Sequence, residues 1–161
     1  MTITKPESVV VIGAGVTGLS TAFHLREKGV EHVIVIDKGT VGGGSSLQSG
    51  GIITMLLDAE PVIKARGISI DLFERFGRIL DGYQFHQVGC LNLFTTEALV
   101  NVSKNWDLQR NLGARFEVLD SKEITERFPD LDAKDGEHGV LDLRGGYSEP
   151  HKYIPALRAK L

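Results

Sequence analysis

Along the first 37 residues, apolar positions recur with the periods of a strand, a helix and a second strand. Residues 8–13 and 32–37 are short runs rich in Val and Ile, and residues 17–28 place apolar side chains at helical spacing. Gly29 follows the helical segment, where a glycine commonly ends a helix. Because two strands flank one helix, this region predicts a right-handed parallel βαβ unit.

The remaining periodicity predicts a mixed α/β chain. A long helix is predicted over residues 58–80, beginning near Asp58 and Glu60. Its apolar stripe is expected to consist of Val62, Ala65, Ser69, Leu72, Phe73, Phe76, Ile79 and Leu80. Downstream, the pattern predicts a strand pair around Gly89, a helix over 96–112, a strand over 115–119, a helix from the capping box at Asp120 to Pro129, a strand pair over 138–147 and a helix from Pro150 onward.

The composition is that of a soluble globular protein. Of the 161 residues, 42% are hydrophobic and 24% are charged, and the formal net charge is −3. A chain of this length suits one domain, or one domain with part of another. Its slight acidity offers no electrostatic footprint for nucleic acid, and no apolar run is long enough to span a membrane.

The N-terminus and the cysteine content narrow the expected location and chemistry. The first eight residues lack the apolar core of a signal peptide, and a single cysteine is typical of a reducing compartment, so a cytoplasmic location is expected. That cysteine, Cys90, lies between apolar residues and is expected to pack in the core rather than to act as a nucleophile. The five histidines lack metal-ligand spacing, so no metal site is expected.

A glycine motif occupies the first strand-to-helix junction, and Asp37 follows about 20 residues after its last glycine. Such glycines allow a tight turn, the approach of a pyrophosphate to the backbone, and close packing of helix on strand, while the positive helix end faces the phosphates. The residues expected to hold a dinucleotide here are Gly13, Gly15, Val16, Thr17 and Gly18. Asp37 is placed to bind an adenosine ribose and disfavours NADP, but the motif leaves NAD and FAD open.

A glycine- and serine-rich segment follows Asp37 directly. Residues 38–53 contain six glycines and three serines. Such a composition is also found in flexible linkers. Its position behind a ribose-binding acid favours instead a loop whose hydroxyl and N–H groups wrap phosphates and a ring edge.

These blocks resemble the D-amino-acid oxidase-like family of FAD-dependent oxidoreductases, which includes glycine oxidase, sarcosine oxidase, dimethylglycine dehydrogenase and dye-linked proline dehydrogenases. The resemblance covers nearly the whole chain. Its two strongest blocks are Val10–Gly18 with Asp37–Lys38, and Gly43–Ile52, which is similar to the Gly/Ser flavin loop of that family. Weaker blocks are Gly89–Leu93, Leu119–Glu123 with Arg127–Pro129, and Gly145–Pro150.

The resemblance implies FAD as the cofactor. It implies that Asp37 holds the adenosine ribose with Lys38 beside it, and that Gly44, Ser45 and Ser46 contact phosphate or ribitol. It further implies that Gln48, Ser49, Gly50 and Gly51 approach the isoalloxazine ring. Members similar to dimethylglycine dehydrogenase attach the flavin through a histidine in this loop, but Gln48 stands at that position and cannot form such a bond. Noncovalent FAD is therefore expected.

The resemblance also implies a fold: a Rossmann-type FAD-binding βαβ unit with part of a mixed-sheet α+β substrate domain. Residues 1–81 are assigned to the FAD-binding domain, 82–148 to a partial substrate domain, and 149–161 to the FAD-binding domain again. Family members are well over twice as long. Exposed apolar surface is therefore expected, which a second chain or an oligomer would cover.

The function implied is oxidation of the C–N bond of a small-molecule amine or amino acid by hydride transfer to the flavin. The isolated chain is expected to be inactive, and no catalytic residue is assigned. Arg66, Arg110 and Arg144 are interpreted as surface charges rather than carboxylate clamps. Three alternatives stay open: a non-catalytic FAD-binding subunit that needs a partner chain, a 2-hydroxyacid dehydrogenase of the same superfamily, and an NAD-binding protein, which the Gly/Ser loop disfavours.

Overall fold

The computed structural model describes residues 6–56 and 59–161, so the predicted helix start at Asp58 lies outside the described residues. In chain order the elements are β1 (Ser8–Ile12), α1 (Val16–Glu27), β2 (His32–Ile36), β3 (Ile52–Ile53), α2 (Glu60–Ile79), β4 (Phe85–His86), β5 (Cys90–Thr95), α3 (Thr96–Ser103), α4 (Trp106–Asn111), β6 (Phe116–Leu119), α5 (Ser121–Arg127), β7 (Glu137–Asp142), β8 (Gly146–Ser148) and α6 (Pro150–Ala159). The prediction of a mixed α/β chain is confirmed.

The chain forms two compact units. The first contains the residues up to Gly51 together with Gly77–Gln84 and Glu149–Leu161, and the second contains Ile52–Phe76 and Phe85–Ser148. No helix within the described ranges is both long and apolar enough to cross a membrane.

In the first unit, β1 and β2 pair in parallel from Ser8 opposite His32 to Ile12 opposite Ile36. Helix α1 connects them, and its predicted inward residues Leu19, Ala22 and Phe23 are buried. Helix α6 packs against α1 through a buried stripe that consists of Tyr153, Ile154, Ala156 and Leu157. The two strands keep one apolar side exposed, where Val10, Ile12, Ile34 and Ile36 are each about half exposed or more. What covers that side stays a prediction.

The second unit contains two three-stranded antiparallel sheets, with the strand orders β3-β8-β4 and β5-β7-β6. Helix α5 packs on one side of the β5-β7-β6 sheet, where Ile124 meets Leu119 and Leu141. The capping box predicted at the start of α5 is confirmed, because Asp120 and Glu123 each accept the other's backbone N–H, at 2.8 and 2.9 Å.

The two predicted strand pairs are wrong, because each pair is divided between the two sheets. Strand β4 pairs with β8, whereas β5 pairs with β7. Gly89 causes the first separation: its φ of +85° turns the chain, and its N–H donates to the Gly145 carbonyl at 3.0 Å. The chain also turns between β7 and β8, where the N–H groups of Arg144 and Gly145 donate to the Asp142 carboxylate.

Two helix predictions also need correction. The predicted helix over 96–112 is two helices, because Asn105 leaves helical geometry with a φ of −103° and a ψ of 3°. The stripe predicted for α2 is largely on the wrong side, since its buried residues are Ile63, Gly67, Ile70 and Phe76. Gly67 explains the difference: it lies in ordinary contact with Leu112 and Met55, so the helix packs through its small side.

Candidate functional site

The predicted glycine turn joins the ends of the two parallel strands. The Gly13 N–H donates to the Ile36 carbonyl at 2.7 Å, and Gly13 has a φ of +104°. A residue with a Cβ would be strained in this conformation. The turn therefore requires glycine at its first position, as the motif predicts.

Gly18 is required for a different reason, namely the close approach of α1 to the turn. A Cβ built on Gly18 would lie 1.8 Å from the Gly13 carbonyl oxygen and 3.4 Å from Val11 Cγ1. Backbone atoms at 1.8 Å cannot be accommodated by a side-chain rotation. Gly18 thus permits the helix-on-strand contact that brings the N-terminus of α1 over the end of β1.

Asp37, at the end of β2, is bound to the same turn. Its Oδ2 accepts the Ala14 N–H at 2.7 Å, and its Oδ1 accepts the Gly39 N–H at 2.8 Å. The Ala14 N–H first, and then the Gly39 N–H, hold the pKa of Asp37 below its ordinary 3.8. The carboxylate is therefore charged at neutral pH, and each oxygen keeps a further lone pair for a hydroxyl donor.

The Gly/Ser loop is tied to this turn by two hydrogen bonds. The Gly42 N–H donates to the Ala14 carbonyl at 2.9 Å, and the Val16 N–H at the start of α1 donates to Ser46 Oγ at 2.9 Å. Gly42 has a φ of +73°, and a Cβ there would lie 2.8 Å from Ile154 Cγ2 in α6. The loop is thus anchored on both α1 and α6, which a flexible linker would not be.

An open cleft of about 450 Å³ lies beside Asp37. Its lining consists of Ile12, Gly13, Ile36, Asp37 and Lys38. This volume is within the range of small-molecule sites, which combine apolar walls with a few placed polar groups. Two isoleucines, one carboxylate and one ammonium group fit a flat apolar ring that carries neighbouring hydroxyls.

The structure therefore brings together six of the fourteen predicted cofactor residues in one network: Gly13, Gly15, Val16, Gly18, Asp37 and Ser46. Lys38 joins them at the cleft. The others are placed elsewhere. Thr17, Gly44, Ser45, Gln48, Ser49 and Gly50 are exposed, and Gly51 is buried with its N–H donating to Ser49 Oγ. A Cβ at Gly44 or Gly50 would meet nothing within 4 Å, so space is open beside the loop.

Sequence reasoning missed two residues that hold the site together. Ala14 acts through its backbone, as donor to Asp37 and acceptor from Gly42, and its residue type carries no signal for either role. Gly42 had a signal, since it is the first of three consecutive glycines. Only the first of the three has a positive φ.

The interpretation of Arg144 as a surface charge is wrong. Its side chain is only 15% exposed and its Nη2 lies 2.7 Å from both Asp71 Oδ1 and Glu74 Oε1. Burial alone would lower the pKa of Arg144, but the hydrogen bonds from these two carboxylates raise it overall. Arg110, in contrast, is half exposed beside Asp107. Because its donors are engaged within the second unit, Arg144 is not available as a substrate clamp.

Two further chemistries lack the groups they need. The described residues contain no cluster of three or more metal-ligating side chains. Burial raises the pKa of the Cys90 thiol, and the Asp142 charge raises it further, so the thiolate that a nucleophile requires is disfavoured.

Comparison with known proteins identifies relatives along nearly the whole chain. The family described as FAD dependent oxidoreductase (DAO) matches residues 8–161. Dimethylglycine dehydrogenase of Mus musculus, which is mitochondrial, is 29% identical over 155 residues, covering 93% of this chain and 18% of that protein. Sarcosine oxidase subunit beta of an Arthrobacter species is 32% identical over 125 residues, covering 75% of this chain and 29% of that protein.

A solved structure gives the same result. L-proline dehydrogenase from P. horikoshii matches with a TM-score of 0.83 and 28% identity, covering 97% of this chain and 41% of that one. The chain thus spans less than a fifth of dimethylglycine dehydrogenase and about two fifths of the proline dehydrogenase.

Proposed function

The chain belongs to the DAO family of FAD-dependent oxidoreductases, and on that premise we propose that its first unit binds FAD noncovalently in a Rossmann-type βαβ site. The observation that carries the proposal is the hydrogen bond from Ala14 to Asp37 beside the cleft of Ile12 and Ile36. It places a charged carboxylate with open lone pairs next to an apolar slot. That pairing suits an adenosine, whose ribose hydroxyls donate and whose ring is flat.

Ser46 has a defined role in this proposal. Its Oγ accepts the Val16 N–H, so its own O–H proton is directed away from the helix. That proton can donate to a phosphate oxygen at the positive end of α1. Gly13, Gly15, Thr17 and Gly18 complete the proposed pyrophosphate site.

The remainder of the loop is proposed to hold the rest of the cofactor. Gly44 and Ser45 would meet phosphate or ribitol, and Gln48 to Gly51 would approach the isoalloxazine ring, with no covalent bond from Gln48. Open space beside Gly44 and Gly50 supports this proposal. The assignment of residues 1–81, 82–148 and 149–161 to FAD and substrate domains stays a prediction.

The proposed reaction is oxidation of the C–N bond of an amine or amino acid. Bound FAD supplies the hydride acceptor, and this chain's residues hold and orient it. Support comes from the relatives, whose names include dimethylglycine, 4-methylaminobutanoate, gamma-glutamylputrescine and sarcosine. No catalytic residue is assigned. A cytoplasmic location stays a prediction, and the matched dimethylglycine dehydrogenases are mitochondrial.

A non-catalytic role is the second candidate. The pyruvate dehydrogenase phosphatase regulatory subunit of Mus musculus is 25% identical over 131 residues, covering 79% of this chain and 15% of that protein. Its name describes a regulatory subunit rather than an oxidoreductase. A chain that binds FAD without turnover, alone or with a partner chain, would fit this candidate.

The test is flavin binding by the purified chain. We expect a flavin absorption spectrum, and we expect acid precipitation to release the flavin into the supernatant. Asp37→Ala should weaken FAD binding by about tenfold, because the ribose hydroxyls lose their charged acceptor. A colourless protein that binds NAD would contradict the proposal, and flavin retained in the precipitate would contradict noncovalent binding.

A second measurement separates the two candidates. We expect the isolated 161-residue chain not to reduce a dye with sarcosine or proline, because substrate-binding residues lie in parts of the relatives that it does not span. Dye reduction by this chain alone would establish the catalytic candidate and refute the need for a partner.

A further inference from the structure

One side of the β3-β8-β4 sheet carries a row of exposed side chains across all three strands. Tyr147 of β8 lies opposite Ile52 of β3 and opposite His86 of β4. Directly opposed residues in antiparallel strands share one side of the sheet. Ile52 is 66% exposed and Tyr147 is 42% exposed. We call Ile52, Tyr147 and His86 the β8 row.

The rings of the β8 row are held in a fixed arrangement. The Tyr147 and His86 rings stack with their centroids 4.5 Å apart and their planes within 11° of parallel. Gly146 allows this approach, since a Cβ there would lie 2.0 Å from the His86 carbonyl oxygen. The phenol is therefore positioned before any ligand arrives, which reduces the ordering cost of binding.

Burial of the sheet is provided by its other side. Phe85 and Ser148, opposite each other in the same strands, are 8% and 4% exposed. The core contact thus does not need Tyr147, which nevertheless places a large aromatic residue on the central strand. No described residue hydrogen-bonds to the Tyr147 hydroxyl, so this group is available as a donor and an acceptor.

We propose that the β8 row is a substrate-binding surface for a small amino acid, in which the Tyr147 hydroxyl donates to the substrate carboxylate and Ile52 packs against the carbon skeleton. The inference rests on the proposed function, and it narrows the substrate from amines in general to amino acids. Ile52 supports it by chain continuity, because Ile52 directly follows Gly51, the last residue of the proposed flavin loop.

The experiment uses the whole 161-residue chain and follows the aromatic carbon signals of its three tyrosines by NMR. The probes are sarcosine and dimethylamine, which share a secondary methylamine but differ in the carboxylate. We expect sarcosine to shift the Tyr147 and His86 signals saturably, with about tenfold weaker binding of dimethylamine, because the latter lacks the charged acceptor. The buried Tyr83 and Tyr153 provide unperturbed reference signals in the same spectra.

Tyr147→Phe is the diagnostic variant, since it keeps the ring stack and removes only the hydroxyl. We expect it to bind sarcosine and dimethylamine equally weakly, with the His86 signal still reporting binding. Equal shifts for both ligands in the unmodified chain, or an unchanged preference in the Phe variant, would overturn the inference. FAD binding is measured in parallel: loss of FAD binding with a retained sarcosine preference contradicts the proposed function alone, and FAD binding without Tyr147 shifts contradicts the β8 row alone.

Discussion

Replacing Gly18 with alanine tests the geometry of the candidate site directly. The added Cβ would lie 1.8 Å from the Gly13 carbonyl oxygen, whereas ordinary contacts begin near 3.4 Å. Helix α1 or the glycine turn would therefore have to move by about 1.6 Å, the difference between these two distances. Because the same turn holds Asp37 through Ala14, such a shift would displace both the phosphate-facing helix end and the carboxylate.

The sign of the effect follows from two opposing contributions. Alanine in place of a helical glycine gains about 0.5–1 kcal/mol from backbone entropy. Overpacking against a backbone atom costs about 1–3 kcal/mol, so the clash outweighs the gain. Gly67→Ala is the matched control, because Gly67 is also helical but its Cβ would meet Leu112 at 3.4 Å. We expect Gly18→Ala to be destabilised and Gly67→Ala to be unchanged or slightly stabilised.

Thermal unfolding and FAD titration by flavin fluorescence measure the two consequences separately. Gly18→Ala should lower the unfolding temperature and weaken FAD binding by about tenfold or more, because several hydrogen bonds to the cofactor are misplaced together. Gly67→Ala lies in the second unit and should retain full FAD affinity. If Gly18→Ala matches Gly67→Ala in both measurements, the steric argument for the glycine turn is refuted.

Three further substitutions test individual contacts. Ser46→Ala removes the acceptor of the Val16 N–H and should lower the unfolding free energy by about 1 kcal/mol in denaturant titration, whereas the exposed Ser45→Ala should not; equal losses would contradict the capping role. Two backbone N–H groups hold the pKa of Asp37 below 3.8, so its stabilising contribution is complete above pH 3.8 and is lost as the pH falls through the lower folded value; Asp37→Asn should flatten this acid dependence of the unfolding temperature, and an unchanged profile would refute the linkage. Arg144→Met leaves two α2 carboxylates without their partner and should cost about 1–3 kcal/mol of stability at unchanged FAD affinity, while a loss of affinity alone would indicate a role in binding.

The local features of this protein were predictable because short spacings encode them. The strand–glycine–helix–strand pattern specifies the β1-α1-β2 arrangement, since the turn needs a positive φ at Gly13 and no Cβ at Gly18. The capping box at Asp120 involves residues three positions apart, so its hydrogen bonds follow from the sequence alone. Membership of the FAD-dependent oxidoreductase family rests on the same kind of local signal, a glycine motif followed by an acid and a Gly/Ser loop.

Only the tertiary structure decided which distant segments meet. Strand β8 pairs with β3 and β4 rather than with its neighbour β7, and Arg144 is buried against α2 about 70 residues earlier. Nothing in the local pattern distinguishes such partners, because a strand's alternation specifies which side is buried but not which strand lies beside it. The anchoring of Ser46 on α1 follows the same logic, with 30 residues between the hydroxyl and the N–H that it accepts. The sequence by itself determined a dinucleotide-type turn, and folding decided which side chains complete its surroundings, because those contacts depend on chain segments that come together only in three dimensions.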